Sequence, residues 1–307
     1  MNSESEAEGQ SQKTTPFLKI QLLSIAAGLS YMGSSLTTFA VILRDKDAVG
    51  PTGVSIILLA MLVPNVLMAP FSGQIADRFE SRVVVPAALV AMSASTLSIA
   101  LVPLVWWAPV ALFITATFGT MVGAASSATV GYLSRPEDMT RVTGIQQTYV
   151  SMGSLAGPAA GGILVGTTGY FWPFVIDSVS FLILAATFIG LGLNRKPEPH
   201  EEGAKPRALD GFRFLLREPV LRAIMIILLM VILSLGVINV GEVFLVVDEL
   251  GATPIIYGFI GALFASGSLS GAVLLQVLKI PESKQAAGLL LAILLMVLAL
   301  TGLSQAP

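Results

Sequence analysis

The chain has 307 residues, of which 54% are hydrophobic and only 12% are charged. A soluble domain of this length usually carries about twice that share of charged residues, so the composition excludes an ordinary soluble protein and favours a membrane protein. The net charge of −2 argues against a nucleic-acid-binding surface, and the absence of cysteine excludes disulfides and thiolate sites within this chain.

Long apolar stretches predict an all-α membrane protein. A helix needs roughly 20 apolar residues to cross a bilayer core of about 30 Å. After an acidic, polar tail at residues 1–16, which we expect to be disordered, nine stretches meet this requirement. They lie near residues 18–43, 53–75, 83–103, 106–132, 145–167, 170–192, 219–247, 255–278 and 286–304.

The basic residues predict the orientation, because cytoplasmic loops are enriched in Lys and Arg. With a cytoplasmic N-terminus, every Lys and Arg except Arg44 and Lys46 falls on the cytoplasmic side. We therefore expect a multi-pass protein of the cell membrane. The polar segment 193–218 separates a six-helix half (17–192) from the remaining helices (219–307), and its amphipathic stretch either lies on the membrane surface or forms a solvated linker.

A weak internal repeat follows the first and the seventh predicted helices, with an offset of 201 residues. The matching residues are Asp47, Gly50 and Thr52, and then Asp248, Gly251 and Thr253. Such a repeat is typical of transporters built from two parallel halves, with the substrate site between them. On this offset the second half stops after three of six helices, so we expect an incomplete C-terminal half.

A short, highly charged loop, GQIADRFESR at residues 73–82, joins the second and third predicted helices. Gly73 would permit a close helix approach, and Asp77 and Arg82 could make charge-assisted hydrogen bonds to neighbouring helix ends. The simpler interpretation is a positive cluster that only sets the topology.

This loop resembles the G-x-x-x-D-R-x-x-x-R signature of the major facilitator superfamily, with Gly73, Asp77, Arg78 and Arg82 at the defined positions. The sequence departs from the family pattern at Glu80, where a glycine is usual. The resemblance implies a major-facilitator-type helical bundle. It also implies that Asp77 latches against the second half in one alternating-access state.

The fifth predicted helix contains GSLAGPAAGG at residues 153–162. Proline bends a helix, and glycines let another helix approach its backbone, so a generic packing face is one interpretation. The spacing also resembles the G-x-x-x-G-P-x-x-G-G motif of the superfamily's proton-coupled exporters. The matching residues are Gly153, Gly157, Pro158, Gly161 and Gly162.

Two further features resemble the macrolide- and siderophore-exporter branch of the family. They are the pair Gln146-Gln147 and the sequence FWPFVIDSVSFLI in the sixth predicted helix. The resemblance covers about residues 17–304 and implies export in exchange for protons.

Two acidic residues, Asp177 and Glu242, lie inside predicted spans. A charged carboxylate at the centre of a membrane helix costs about 2.5–3.5 kcal/mol on insertion scales, so each is a candidate proton carrier. Alternatively, each could reach the membrane surface or pair with a helix end. Polar side chains of the first and seventh predicted helices form a candidate substrate path, namely Ser30, Tyr31, Ser34 and Asn239.

The sequence lacks a G-x-x-x-x-G-K-[ST] loop and has a single histidine, which argues against an ATP motor, a metal site or an enzyme, and no cofactor is expected. We therefore expect an exporter of small amphiphilic molecules (drug-like, macrolide or siderophore) that exchanges them for protons, monomeric if the chain is complete. The alternatives are a truncated, non-transporting fragment or regulatory remnant, and a facilitative uptake permease.

Overall fold

The computed structural model describes residues 14–102, 104–195 and 217–278. This part of the chain contains eight α-helices: α1 (Phe17–Val49), α2 (Pro51–Arg78), α3 (Ser81–Leu101), α4 (Trp107–Leu133), α5 (Met139–Thr168), α6 (Phe171–Gly190), α7 (Pro219–Phe244) and α8 (Pro254–Leu278). A 3-10 turn precedes α5, and a π-helix, Leu245–Glu249, continues α7. Most of the polar tail (residues 1–13), most of the linker (residues 196–216) and the ninth predicted helix lie outside the described residues.

Seven helical segments among the described residues are long and apolar enough to cross a membrane. They are Phe17–Val49, Pro51–Met68, Ser81–Leu101, Trp107–Leu133, Pro136–Thr168, Phe171–Gly190 and Pro254–Gly271. Large apolar side chains such as Val90, Leu182 and Ile183 are exposed on these helices, as lipid contact requires. The all-helical membrane architecture is therefore confirmed, while the count of nine spans stays a prediction.

Helix α1 is longer than the sequence pattern predicts. The apolar stretch ends near residue 43, but the helix continues to Val49 and includes Arg44 and Lys46. Its last turns can hold charges because these form ion pairs with each other, as Arg44 does with Asp45 at 3.0 Å. Gly50, with a φ of 75°, then ends the helix.

Consecutive helices alternate in direction, so the bundle has two ends. We call the end with the α2–α3 loop the Arg82 end, and the end with the α1–α2 turn the Gly50 end. One buried apolar cluster, which includes Leu89, Phe181 and Phe188, lies toward the Arg82 end. A second, which includes Phe39 and Val243, lies toward the Gly50 end. Helix α1 packs mainly against α5 and α6.

The chain divides into two compact units, Met1–Leu263 and Phe264–Pro307. The second cluster joins α1, α4 and α6 to the described beginning of the second half, through Val243 of α7 and Tyr257 of α8. All of these contacts lie within the first unit, which also holds the candidate site.

Candidate functional site

The first six helices line an open cavity of about 510 Å³. Its polar lining residues come from α1, α2, α4, α5 and α6, and include Ser30, Tyr31, Ser34, Asn65, Gln146 and Asp177. Three of the four residues of the predicted substrate path thus line one cavity. The fourth, Asn239 of α7, is exposed and does not belong to this lining.

Asp177 is the acidic residue in the cavity lining, and only 1% of it is exposed. Its Oδ1 accepts hydrogen bonds from the hydroxyls of Ser34 at 3.3 Å and Ser180 at 3.5 Å. The Ser180 hydroxyl also donates to the backbone carbonyl of Asp177 at 2.7 Å. The alternative in which Asp177 reaches the membrane surface is therefore wrong, because the carboxyl group is enclosed between α1 and α6.

A glycine on α1 makes room for this carboxyl group. A Cβ added to Gly33 would lie 2.8 Å from Oδ1 of Asp177 and 2.7 Å from Oγ of Ser180. Among the described residues, no Lys or Arg forms an ion pair with Asp177. A buried carboxyl group without a cation is costly to keep within a membrane helix, which makes Asp177 a candidate functional residue.

Glu242, the other candidate proton carrier, is half-buried on α7 and does not line the cavity. The carboxylate of Glu242 lies close enough to the Tyr257 hydroxyl for its charge to act on this group. The Tyr257 ring stacks on Phe39 with ring centroids 5.2 Å apart. The two acidic residues are thus not brought together: Asp177 belongs to the cavity, and Glu242 to the contact between α1, α7 and α8.

The glycines of the 153–162 motif bring α5 against the backbone of α1. A Cβ on Gly153 would overlap the carbonyl oxygen of Gly28, and one on Gly157 would overlap Cβ of Ser35. A Cβ on Gly161 would lie 3.2 Å from the Phe39 ring. At Gly153 and Gly157 any side chain would push the two helices apart, while at Gly161 the Phe39 side chain would have to shift by a few tenths of an ångström.

The same motif contacts α8 through its other face. A Cβ on Gly162 would lie 2.5 Å from the carbonyl oxygen of Pro254 and 3.0 Å from Cα of Gly258. A Cβ on Gly261 would lie 3.0 Å from Cβ of Pro158. Helix α5 therefore packs between α1 and α8. Gly258 was not predicted as a contact residue, because a glycine in an apolar helix shows its partner only through the tertiary contact.

The charged α2–α3 loop packs against the chain that follows α6. The backbone N–H of Ser81 donates to the carbonyl of Arg195 at 3.2 Å. The Asn194 amide donates to Glu80 at 3.4 Å, and its oxygen accepts from the Arg82 backbone N–H at 3.5 Å. Glu80, the departure from the family pattern, thus has a partner at the end of the six-helix half.

The candidate gating residues of this loop are only partly described. Arg78 and Arg82 are exposed at the Arg82 end, while the side chain of Asp77 lies outside the described residues. No described atom lies within 4 Å of a Cβ added to Gly73. A close helix contact at Gly73 therefore stays a prediction.

A cluster of charged residues lies at the Gly50 end, and the sequence did not predict that its members contact one another. Lys46 pairs with Asp47 at 3.2 Å and with Asp248, which follows α7. The Tyr170 hydroxyl donates to Asp47 at 3.2 Å. Burial, followed by the negative charge of Asp47, raises the pKa of Tyr170 to about 12, so the phenol stays protonated and remains a donor.

The chain is similar to known transporters. It is 22% identical over 224 residues to the uncharacterized MFS-type transporter YfiS of Bacillus subtilis (strain 168), which covers 71% of this chain and 54% of that protein. It is 29% identical over 160 residues to the class C tetracycline resistance protein of Escherichia coli, which covers 52% of this chain and 38% of that protein. The chain thus spans about half or less of the length of these curated relatives.

A solved structure supports the fold. It is a bacterial homolog of the human lysosomal transporter Spinster, in an inward-facing and unoccupied conformation, with a TM-score of 0.50 and 15% identity. The match covers 66% of this chain and 49% of that one. The model of the Major Facilitator Superfamily matches residues 23–307. The chain therefore belongs to the Major Facilitator Superfamily, a family of transporters that generally carry no enzymatic activity, and it is a multi-pass membrane protein.

Proposed function

We propose that the protein exports small amphiphilic molecules in exchange for protons by alternating access. The observation that carries this proposal is the cavity of about 510 Å³, in which the buried Asp177 has no cationic partner among the described residues. A carboxyl group in this setting can hold a proton and release it when its surroundings change. The glycine contacts of α5 with both α1 and α8 add a coupling between the cavity helices and the second half.

The lining of the cavity supports an amphiphilic substrate. Its volume lies within the range of about 300–1,000 Å³ that is usual for small-molecule sites. Apolar side chains such as Met61, Met92 and Phe181 form much of the wall, and a few hydroxyl and amide groups can bind polar atoms. A drug-like, macrolide or siderophore substrate would suit this lining, and the tetracycline resistance protein among the relatives supports the drug-like class.

For coupling, we propose Asp177 as the main proton carrier and Glu242 as a second candidate. Each proton that crosses a potential of 100 mV supplies about 2.3 kcal/mol, which can drive export. The exposed Arg78, Arg82 and Arg141 at the Arg82 end support a cytoplasmic position for this end, and with it a cytoplasmic N-terminus. The protein would work in the cell membrane as a monomer.

Gating would use the two family motifs. We assign the inner gate to the α2–α3 loop, with Gly73, Asp77, Arg78 and Arg82. The bend at Gly157-Pro158 would transmit the rocking of the halves. Arg78 and Arg82 are exposed at the Arg82 end, where their guanidinium groups would be free to bind phosphate or carboxylate oxygens, and α5 contacts both α1 and α8.

Collapse of the proton gradient tests the proposed function. Cells that lack their own efflux systems and express the full chain should accumulate less of a fluorescent amphiphile or of tetracycline than cells without it. A protonophore should abolish this difference, because the gradient that drives export is gone. A steady-state level that the protein lowers equally with and without protonophore would contradict proton exchange. A protein that only speeds equilibration in both directions would be a facilitative permease.

Replacement of Pro158 by leucine tests the role of the α5 bend. The change restores a backbone N–H inside α5, so we expect a straighter helix and weaker coupling, with several-fold less export per proton taken up. The amount of inserted protein should stay normal. The measurement is the ratio of substrate flux to proton flux in vesicles of wild-type and P158L protein. An unchanged ratio would show that the proline serves packing only.

A further inference from the structure

Two aspartates from the two halves meet at one lysine. Asp47 and Asp248 occupy equivalent positions of the 201-residue repeat, each three residues before a glycine with positive φ, Gly50 at 75° and Gly251 at 64°. Nζ of Lys46 forms ion pairs with both carboxylates. The equivalent of Lys46 in the second half is Val247. The Lys46 ammonium group therefore pairs with one aspartate from each half, and the second half has no lysine at the equivalent position.

The lysine is far more buried than its partners. Only 6% of the Lys46 side chain is exposed, against 60% for Asp47 and 47% for Asp248. The ammonium group also lies 5.6 Å from the centroid of the Phe244 ring, at the end of α7. Loss of Asp248 would leave this little-exposed ammonium group with one carboxylate instead of two, so the ion pair with Asp248 stabilises the closed arrangement.

The two ion pairs respond differently to a separation of the halves. Lys46 and Asp47 are neighbours on α1, so their pair can persist in any arrangement. Lys46 and Asp248 are joined only while the segment after α7 lies against α1. The Phe39–Tyr257 stack and the Gly162–Gly258 contact lie at the same end and join the same parts of the chain. Opening of the Gly50 end must therefore break Lys46–Asp248 and can leave Lys46–Asp47 intact.

We propose that Lys46 and Asp248 form an ionic latch that holds the Gly50 end closed, and that Asp47 retains the lysine when this end opens. The other charged groups nearby have their own partners: Arg44 pairs with Asp45 and lies over the Phe174 ring, and Tyr170 donates to Asp47. The latch rests on the alternating-access part of the proposed function, but it requires neither proton exchange nor a particular substrate.

A distance measurement across the Gly50 end tests the latch. The chain has no cysteine, so spin labels can be placed at L104C in the α3–α4 loop and L250C after α7, both at exposed positions. Pulsed EPR of the full chain in nanodiscs should show a main short distance and a minor longer one. In K46M and in D248N, the ratio of long to short distances should rise about tenfold, the effect of losing a partly buried ion pair.

Three controls keep the test decisive. D47N should change the ratio much less than D248N, since the pair between the halves remains. The swap of Lys46→Asp with Asp248→Lys should restore the short distance. Labels at L104C and F171C, both within the first six helices, should keep one distance in every variant, which shows that this half stays folded.

An unchanged ratio in both K46M and D248N, an equal response in D47N, or a swap that behaves like the single variants would overturn the latch. These distances are recorded without substrate and without a proton gradient. A failure of proton-driven export would therefore leave this result standing, and a failure of the latch would leave the export assay unaffected.

Discussion

Alanine at Gly153 should destabilise the folded protein by about 1–3 kcal/mol, the usual cost of overpacking a close contact. The added methyl group would overlap the carbonyl oxygen of Gly28 and lie 3.0 Å from the backbone nitrogen of Met32. Neither group can move without displacing α1, which also borders the cavity. The measurement is thermal unfolding of the purified protein in detergent, with helix content followed by circular dichroism.

Gly144 provides the matched control on the same helix. It is exposed, and no described atom lies within 4 Å of its added Cβ. Alanine there should stabilise the protein by up to about 1 kcal/mol, because glycine is the weaker helix former. The two substitutions thus have opposite expected signs although the chemical change is identical. A loss of stability at both positions, or at neither, would contradict the contact between α5 and α1.

Asparagine at Asp177 should lower proton-driven transport by about tenfold or more, because a carboxamide cannot bind and release a proton within the membrane. The carboxamide keeps the shape of the side chain, and its oxygen can still accept from Ser34 and Ser180. We therefore expect normal amounts of folded protein. The measurement is uptake of a fluorescent amphiphile into everted membrane vesicles that carry an imposed pH gradient.

Substrate exchange without a gradient separates coupling from binding in this variant. D177N should still exchange labelled for unlabelled substrate, since the cavity retains its other polar groups. E218Q changes an exposed acidic residue at the start of α7 and should behave like the wild type. If D177N keeps its gradient-driven transport, Asp177 serves only to join α1 and α6. If alanine at both Asp177 and Glu242 also leaves it intact, neither residue carries the proton.

Local pattern was sufficient for the family and for seven of the nine predicted spans. Apolar length predicts membrane helices because an unpaired backbone group is too costly in lipid, and seven segments are confirmed as suitable in length and composition. The spacing of residues 73–82 and 153–162 indicates the superfamily without reference to any tertiary contact. The end of α1 was predicted too early, because the ion pairs that let a charged turn remain helical are not visible in hydropathy.

The internal repeat shows most clearly which information comes from the sequence and which comes only from the tertiary structure. The pattern alone related Asp47 to Asp248, since equivalent turns need the same short polar and glycine residues. That both carboxylates converge on Lys46 depends on how α1 lies against the end of α7, which no local pattern encodes.

For the candidate site, too, the sequence predicts some features and the tertiary structure decides the others. The sequence by itself determined the family, seven membrane-spanning segments and the presence of two acidic residues in apolar stretches. Only the tertiary structure decided that Asp177 lies in a cavity with Ser34 and that Glu242 lies elsewhere. The physical reason is that the environment of a carboxyl group depends on which helix faces it, and helix pairing is set by packing over distances of more than a hundred residues along the chain.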